Sequence, residues 1–294
     1  MHLLYITFGE NISNQIQAQF SIITFLSHKK EIDTINVVTD NAEFYNNLKE
    51  RVNVIPIDAE TLNSWKGEYD FFWRVKIKAI EMLCKMYTNE PVLYLDTDTF
   101  LFGDLLLLKQ QALAGKAFMH ENEGLLSKEK SKTAKKMWHQ VMNMNYGNVT
   151  ITANHCMWNA GVVLTPNQKN NTEIQLALEI CDAMCKQGVT RRLLEQFALS
   201  VSLQKVYGLQ PAKNEIGHYW SNKETWNKVI EDFFITANFK GFTIEEMAHA
   251  IKDFDFTKIP VKMRVRSTNT RLTALINKLY PAQDVVYINN IKRS

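Results

Sequence analysis

What most restricts the fold of this chain is the alternation, through its first hundred residues, of short β-branched runs with longer stretches of helical spacing. HLLYITFG, from His2 to Gly9, is an apolar run closed by glycine. In the QIQAQFSIITFLSHKK that follows, Ile16, Phe20, Ile23 and Leu26 recur at helical intervals. TINVVTD and RVNVIPID are two further strand-like runs, separated by the polar, partly helical NAEFYNNLKE. FFWRVKIKAIEMLCKMY predicts a helix, and after the turn TNEP the segment PVLYLDTDTFLFGD opens with five uninterrupted apolar residues. Parallel strands need long crossover connections, and helices usually supply them. The alternation therefore predicts an α/β fold, a mostly parallel sheet with helices on both faces.

A chain of 294 residues, 46% hydrophobic and 22% charged, is long enough to bury a sizeable core in one large domain or a domain with an appendage. The formal charge of +3 is too small for a general nucleic-acid binder, so no nucleic-acid partner is expected. The apolar start, Leu3 to Phe8, is far shorter than the roughly 20 residues of a bilayer span and lacks the regions of a secretory leader. Four cysteines without a CxxC pair fit a reducing, cytoplasmic setting, with Cys181 and Cys185, one helical turn apart, read as core residues.

Beyond Asp104 the pattern loosens. LLLLKQQALAG suggests a short helix or turn, KAFMH a strand, and Ser127 to Met144 a basic helical stretch able to sit over a cleft. CMWNAGVVLTP reads as a strand, EIQLALEICDAMCKQG as an amphipathic helix ending at Gly188, and RRLLEQFALSVSLQK as one more helix. The end differs in composition: from Lys258 to Ser294, eight basic residues (Lys258, Lys262, Arg264, Arg266, Arg271, Lys278, Lys292 and Arg293) face one acid, Asp284. In TRLTALINKLY, Leu272, Leu275, Ile276 and Leu279 share a helical face beside Arg271 and Lys278. This suits either an anionic membrane surface or docking on the body with solvated basic side chains. We expect a domain over residues 1–225 and a helical, basic extension over 226–294.

Asp96, Thr97 and Asp98 stand at the carboxyl end of the strand VLYL. Ligands of open α/β sheets gather beyond such strand ends, and i, i+2 spacing in an extended chain points both carboxylates the same way. Two like charges so close stay ionised most readily beside a divalent cation, and hard oxygen donors suit Mg²⁺ or Mn²⁺. The bland alternative is a loop in which Asp96 caps a turn and Asp98 is solvated. On the preceding helix, Val75, Ala79, Met82, Leu83 and Met86 form the apolar stripe. Arg74, Lys78 and Glu81 occupy another face, from which Arg74 and Lys78 either reach phosphates or remain solvated.

At this point the sequence resembles the nucleotide-sugar glycosyltransferases of the GT-A fold, from about Leu3 to Trp220. The resemblance rests on the order of its pieces: the opening strand, VVTD, an Arg and a Lys before the acidic motif, LYLDTDTFLFGDL, NAGVVL, a helix with Glu and Gln, and a late His. It implies that Asp96 and Asp98 hold a divalent ion, Mn²⁺ or Mg²⁺, on the donor's diphosphate, with His218 as a third ligand. It also implies donor contacts from Thr7, Phe8, Asp40 and Thr97, and a sugar pocket at Asn159 and Gly161. Glu195 and Gln196 match the position beneath the anomeric carbon, with a slight lean towards retention of configuration by analogy. The expected donor is a UDP-sugar, and the expected acceptor a saccharide or lipid-linked saccharide of a cell envelope. The setting would be cytoplasmic, with possible peripheral contact at the inner face of the membrane.

Three rivals share some of these features. LYLDTDTF also resembles the opening motif of haloacid-dehalogenase phosphatases, but those carry it on their first strand and need a later acidic pair. A sugar nucleotidyltransferase needs a glycine-rich phosphate loop, and ITFGENISNQ has one glycine. A non-catalytic nucleotide-sugar binder would keep the Asp-x-Asp positions without turnover.

Overall fold

The computed structural model describes residues 1–263 and 267–280. Strand β1 (His2–Thr7) leads to helix α1 (Ile12–Leu26), followed by β2 (Thr34–Thr39), β3 (Asn53–Pro56), α2 (Ala59–Lys66) and α3 (Arg74–Met86). Then come β4 (Val92–Leu95), β5 (Thr99–Leu101), α4 (Leu105–Leu113), β6 (Ala117–Met119), β7 (Asn122–Leu125) and α5 (Lys132–Val141). A small hairpin, β8 (Asn145–Tyr146) and β9 (Val149–Thr150), precedes β10 (Cys156–Trp158), β11 (Val162–Thr165), α6 (Thr172–Lys186) and α7 (Leu194–Val206). The described chain closes with β12 (Leu209–Pro211), β13 (Ile216–His218), α8 (Lys223–Phe239), α9 (Ile244–Lys252) and α10 (Ser267–Leu279).

Seven strands form one sheet in the order β12-β6-β11-β4-β1-β2-β3. β1 pairs in parallel with both β2 and β4, and β2 with β3, as the alternation predicts. β11 runs antiparallel to β4 and β6, because the expected single strand CMWNAGVVLTP is broken by a turn at Asn159–Gly161 into β10 and β11. The fold is a mixed, mostly parallel α/β sheet covered on both faces.

Successive residues of β1 show how the two faces fill. Leu4 packs with Ile77, Ile80 and Leu83 of α3 and with α6 and α7, whereas Leu3 and Tyr5 pack with Ala18, Ile22 and Phe25 of α1. Cys181 and Cys185 are buried in the first of these clusters, as expected of core residues. Met86, expected in the buried stripe of α3, is exposed; Lys76 is buried instead.

A third cluster joins Phe20 and Ile23, on α1, to Phe100, Tyr219, Trp226 and Ile230, with Ala248 and Ile251 from α9. Trp226 is fully buried and stacks on Phe100 at 4.5 Å and Tyr219 at 4.7 Å. The expected boundary at residue 225 thus falls inside α8, whose first turns belong to the core. In α10 the side chains from Arg271 to Leu279 are all exposed, as is Tyr280 after it. Arg264, Arg266, Asp284, Lys292 and Arg293 of the basic end lie outside the described residues.

Candidate functional site

Because β1 and β4 are parallel, their carboxyl ends share one edge of the sheet, and Thr7, Phe8, Asp96, Thr97 and Asp98 meet there. β13 completes the site: its antiparallel register with β5 sets His218 opposite Thr99, one residue beyond Asp98. His218 Nε2 lies 3.4 Å from Asp98 Oδ1 and 4.0 Å from Asp96 Oδ2. One ligand atom from each of these three residues lies within 4.8 Å of the others. Two carboxylates and an imidazole form a donor set that fits a divalent cation of the Mn²⁺ or Mg²⁺ kind, hard oxygens with one borderline nitrogen.

The three side chains are held from behind. Tyr94 donates a hydrogen bond of 2.5 Å to Asp96 Oδ1, and Lys76 Nζ lies 3.1 Å from the same oxygen. Lys76 also donates to the carbonyl of Ala160 at 3.2 Å and lies 3.9 Å from Glu195 Oε1. Burial pushes the Lys76 amine down, but Asp96 and Glu195 more than reverse this and its pKa is raised. Burial pushes Glu195 up, only partly opposed by Lys76, and Glu195 Oε2 is buried without a partner. Lys223, from the first turn of α8, places Nζ 3.0 Å from Asp98 Oδ2. Burial disfavours charge on Asp98, yet His218 and Lys223 outweigh it and hold its carboxyl well below the ordinary range.

Gly161 makes room for this arrangement. A β-carbon there would stand 2.1 Å from His218 Cε1, so backbone and imidazole are in direct contact. The Gly161 carbonyl also accepts the Asp96 N–H at 2.8 Å, tying the turn before β11 to the acidic loop.

Two cavities meet at the carboxylates. One of about 240 Å³ is lined on the β1 side by Thr7, Phe8, Phe72 and Tyr94. The other, of about 560 Å³, is lined by Glu123, Asn159, Gly161, Glu195, Gln196 and Trp220. Trp73, Lys76, Asp96, Asp98 and Lys223 border both. Ser131, Thr133 and Ala134, at the start of α5, also line the larger cavity, where the sequence suggests a helix over a cleft.

Not every expected residue arrives. Arg74 is held by Asp182 at 2.6 and 2.9 Å and by the Trp65 carbonyl at 2.9 Å, and Lys78 pairs with Glu81. Neither borders the two cavities; Lys76, between them, does. Residues two apart on a helix point about 200° apart, so a helix that turns Lys76 to the cleft turns its neighbours away. Asp40 accepts the Gly9 N–H at 2.9 Å and does not border either cavity. Lys76, Tyr94, Glu123, Trp73 and Lys223 are absent from the sequence expectations. Only Lys223 carries a sequence signal, an amine five positions after the late histidine.

No protein-family model matches the sequence, and no curated protein matches it. Solved structures do. The glycosyltransferase GlyE of Streptococcus pneumoniae TIGR4 superposes with a TM-score of 0.50 at 14% identity, over 90% of this chain and 66% of that one. The galactosyltransferase LgtC, solved with donor and acceptor sugar analogues, gives 0.46 at 15% identity over 72% and 73%. Mouse xyloside xylosyltransferase 1 gives 0.45 at 13% over 71% and 84%. At 14% identity the likeness to GlyE is one of fold alone, an α/β fold of the GT-A type.

Proposed function

We propose that this chain is a metal-dependent glycosyltransferase that moves a sugar from a nucleoside diphosphate donor, a UDP-sugar, to a hydroxyl of a saccharide acceptor. The observation that carries this reading is the convergence of Asp96, Asp98 and His218 where the two cavities meet. In the transfer the bond from the anomeric carbon to the diphosphate oxygen breaks, a bond to the acceptor oxygen forms, and the proton of the acceptor hydroxyl passes to the departing diphosphate. A divalent ion on the three ligands would stabilise negative charge developing on the leaving diphosphate.

The chain's own residues divide the remaining work. Thr7, Phe8 and Thr97 border the smaller cavity, which suits the nucleoside; Asn159 and Gly161 border the larger, which suits the sugar and acceptor. Lys223 is half exposed and can turn from Asp98 towards a diphosphate. Glu195 and Gln196 both line the larger cavity, where they would stand beneath an anomeric centre; by analogy with the fold we read the transfer as one with retention of configuration.

We extend the reading to an anionic membrane as a peripheral partner, consistent with a lipid-linked or cell-envelope acceptor. Leu272, Leu275, Ile276 and Leu279 are 47–62% exposed on one face of α10, beside Arg271 and Lys278. No described helix is long and apolar enough to cross a membrane. The central test is calorimetry with UDP and Mn²⁺. Binding that requires the metal and is lost in Asp98→Ala supports the assignment, and metal-independent binding refutes it.

A further inference from the structure

The hydrogen bonds around Asn159 leave it one orientation. Its Oδ1 accepts the backbone N–H of Gly161 at 3.0 Å, which only an oxygen can do. Its Nδ2 lies 3.2 Å from Glu123 Oε1, where an ionised carboxylate requires a donor. Both ends of the carboxamide are thereby assigned from their partners. The same Oδ1 lies 3.0 Å from His218 Nδ1. An oxygen with no hydrogen can only accept, so Nδ1 must carry the proton. That leaves Nε2 as the nitrogen whose lone pair a metal ion would take, and Nε2 is the nitrogen that faces Asp98 and Asp96.

We infer that Asn159 is a positioning residue that sets the His218 tautomer for metal ligation, and that Glu123 is its anchor. Glu123 does a second thing: its other oxygen accepts the Gln196 amide at 2.9 Å. One exposed carboxylate on β7 thus ties the candidate metal ligand, through Asn159, to the residue beneath the sugar pocket. Asn159 is only 7% exposed and its carboxamide is engaged on both sides, Oδ1 by the Gly161 N–H and His218 Nδ1 and Nδ2 by Glu123, so the group is held in one orientation. His120 supports the same ring, standing edge-on at 5.2 Å between centroids.

The role towards the ion rests on the metal-dependent reading proposed above; the tautomer does not. The experiment uses the full chain labelled with ¹⁵N-histidine. Long-range ¹H–¹⁵N correlation reports the His218 tautomer without metal at a pH where the ring is neutral, assigned by His218→Gln, and Mn²⁺ titration followed by paramagnetic resonance reports affinity. The wild type should show the Nδ1–H form. Asn159→Ala should lose that preference and bind Mn²⁺ about 10- to 100-fold more weakly, the usual cost of removing a partner behind a ligand. Glu123→Ala, at an exposed site that tolerates truncation, should give a smaller loss in the same direction, and Glu123→Gln, whose amide oxygen still accepts from Asn159, should recover most of it. An Nε2–H tautomer in the wild type overturns the inference. So does an unchanged tautomer and affinity in both alanine variants with unaltered unfolding midpoints. If Asn159→Ala does not fold, Glu123→Ala decides on the same two readouts. If the wild type binds no Mn²⁺, the functional reading fails, while the tautomer still decides the place of Asn159.

Discussion

The cleft and helix α10 treat charge and apolar surface in opposite ways. In the cleft, Lys76, Asp98 and His218 are almost wholly buried, each within ion-pair or hydrogen-bond reach of a partner on another element. In α10 the leucines face outward, and no ion pair engages Arg271 or Lys278 among the described residues. Nine of the twenty large hydrophobic residues exposed among the described residues lie between Ile235 and Tyr280, which concentrates uncovered apolar surface at one end of the chain. A buried charge with partners is a requirement of the fold in itself. An uncovered apolar face obtains its stabilisation only when something else arrives, so the two regions should respond to substitution in different measurements.

The sharpest break would come at Lys76. Replacement by Met removes the cation that Asp96 and Glu195 share, and breaking a buried pair costs about 3–5 kcal/mol. Urea unfolding should show that loss, and adding Glu195→Gln should restore part of it. Full stability in Lys76→Met would mean the cleft charges are not coupled. Next in size, Asp98→Ala should weaken Mn²⁺-dependent UDP binding by at least about 100-fold, roughly 2.7 kcal/mol, while the unfolded fraction in buffer stays low. Smaller again, replacing Leu272, Leu275, Ile276 and Leu279 together by Ser should abolish retention on vesicles rich in phosphatidylglycerol. The unfolding free energy should move by no more than about 0.5 kcal/mol per exposed site. Retention that persists, or a dimer that the same variant dissolves, would assign this face to something other than lipid. The smallest effect is expected from Lys278→Gln, about 1 kcal/mol in vesicle affinity, with the difference vanishing in high salt.

How legible the chain was differs between these regions for identifiable reasons. The parallel core was readable because β1 and β4 are built on apolar runs, β2 is rich in β-branched residues, and α1 and α3 keep helical spacing. Asp96 and Asp98 were readable because a strand end and an i, i+2 spacing are local facts, and His218 because the order of the motifs points to it. Lys76 was not, since an amine in a helix of alternating charge and apolar residues looks solvated until the strand behind it is placed. Tyr94 sits in VLYL as one more apolar residue, and its hydroxyl matters only because Asp96 stands two residues on. Trp226 is a related case: it packs on Phe100, more than a hundred positions earlier, a contact that no local pattern announces.

The contact between the Gly161 backbone and the His218 ring carries a consequence for how such a site can vary. The imidazole occupies the volume that any side chain at position 161 would need, so the two positions are constrained as a pair although they lie far apart in the chain. A substitution at 161 alone, even to Ala, amounts to evicting the ring. Change can enter only from the other side, through a smaller residue at 218 first, and a library randomised at 161 in the presence of histidine should return glycine.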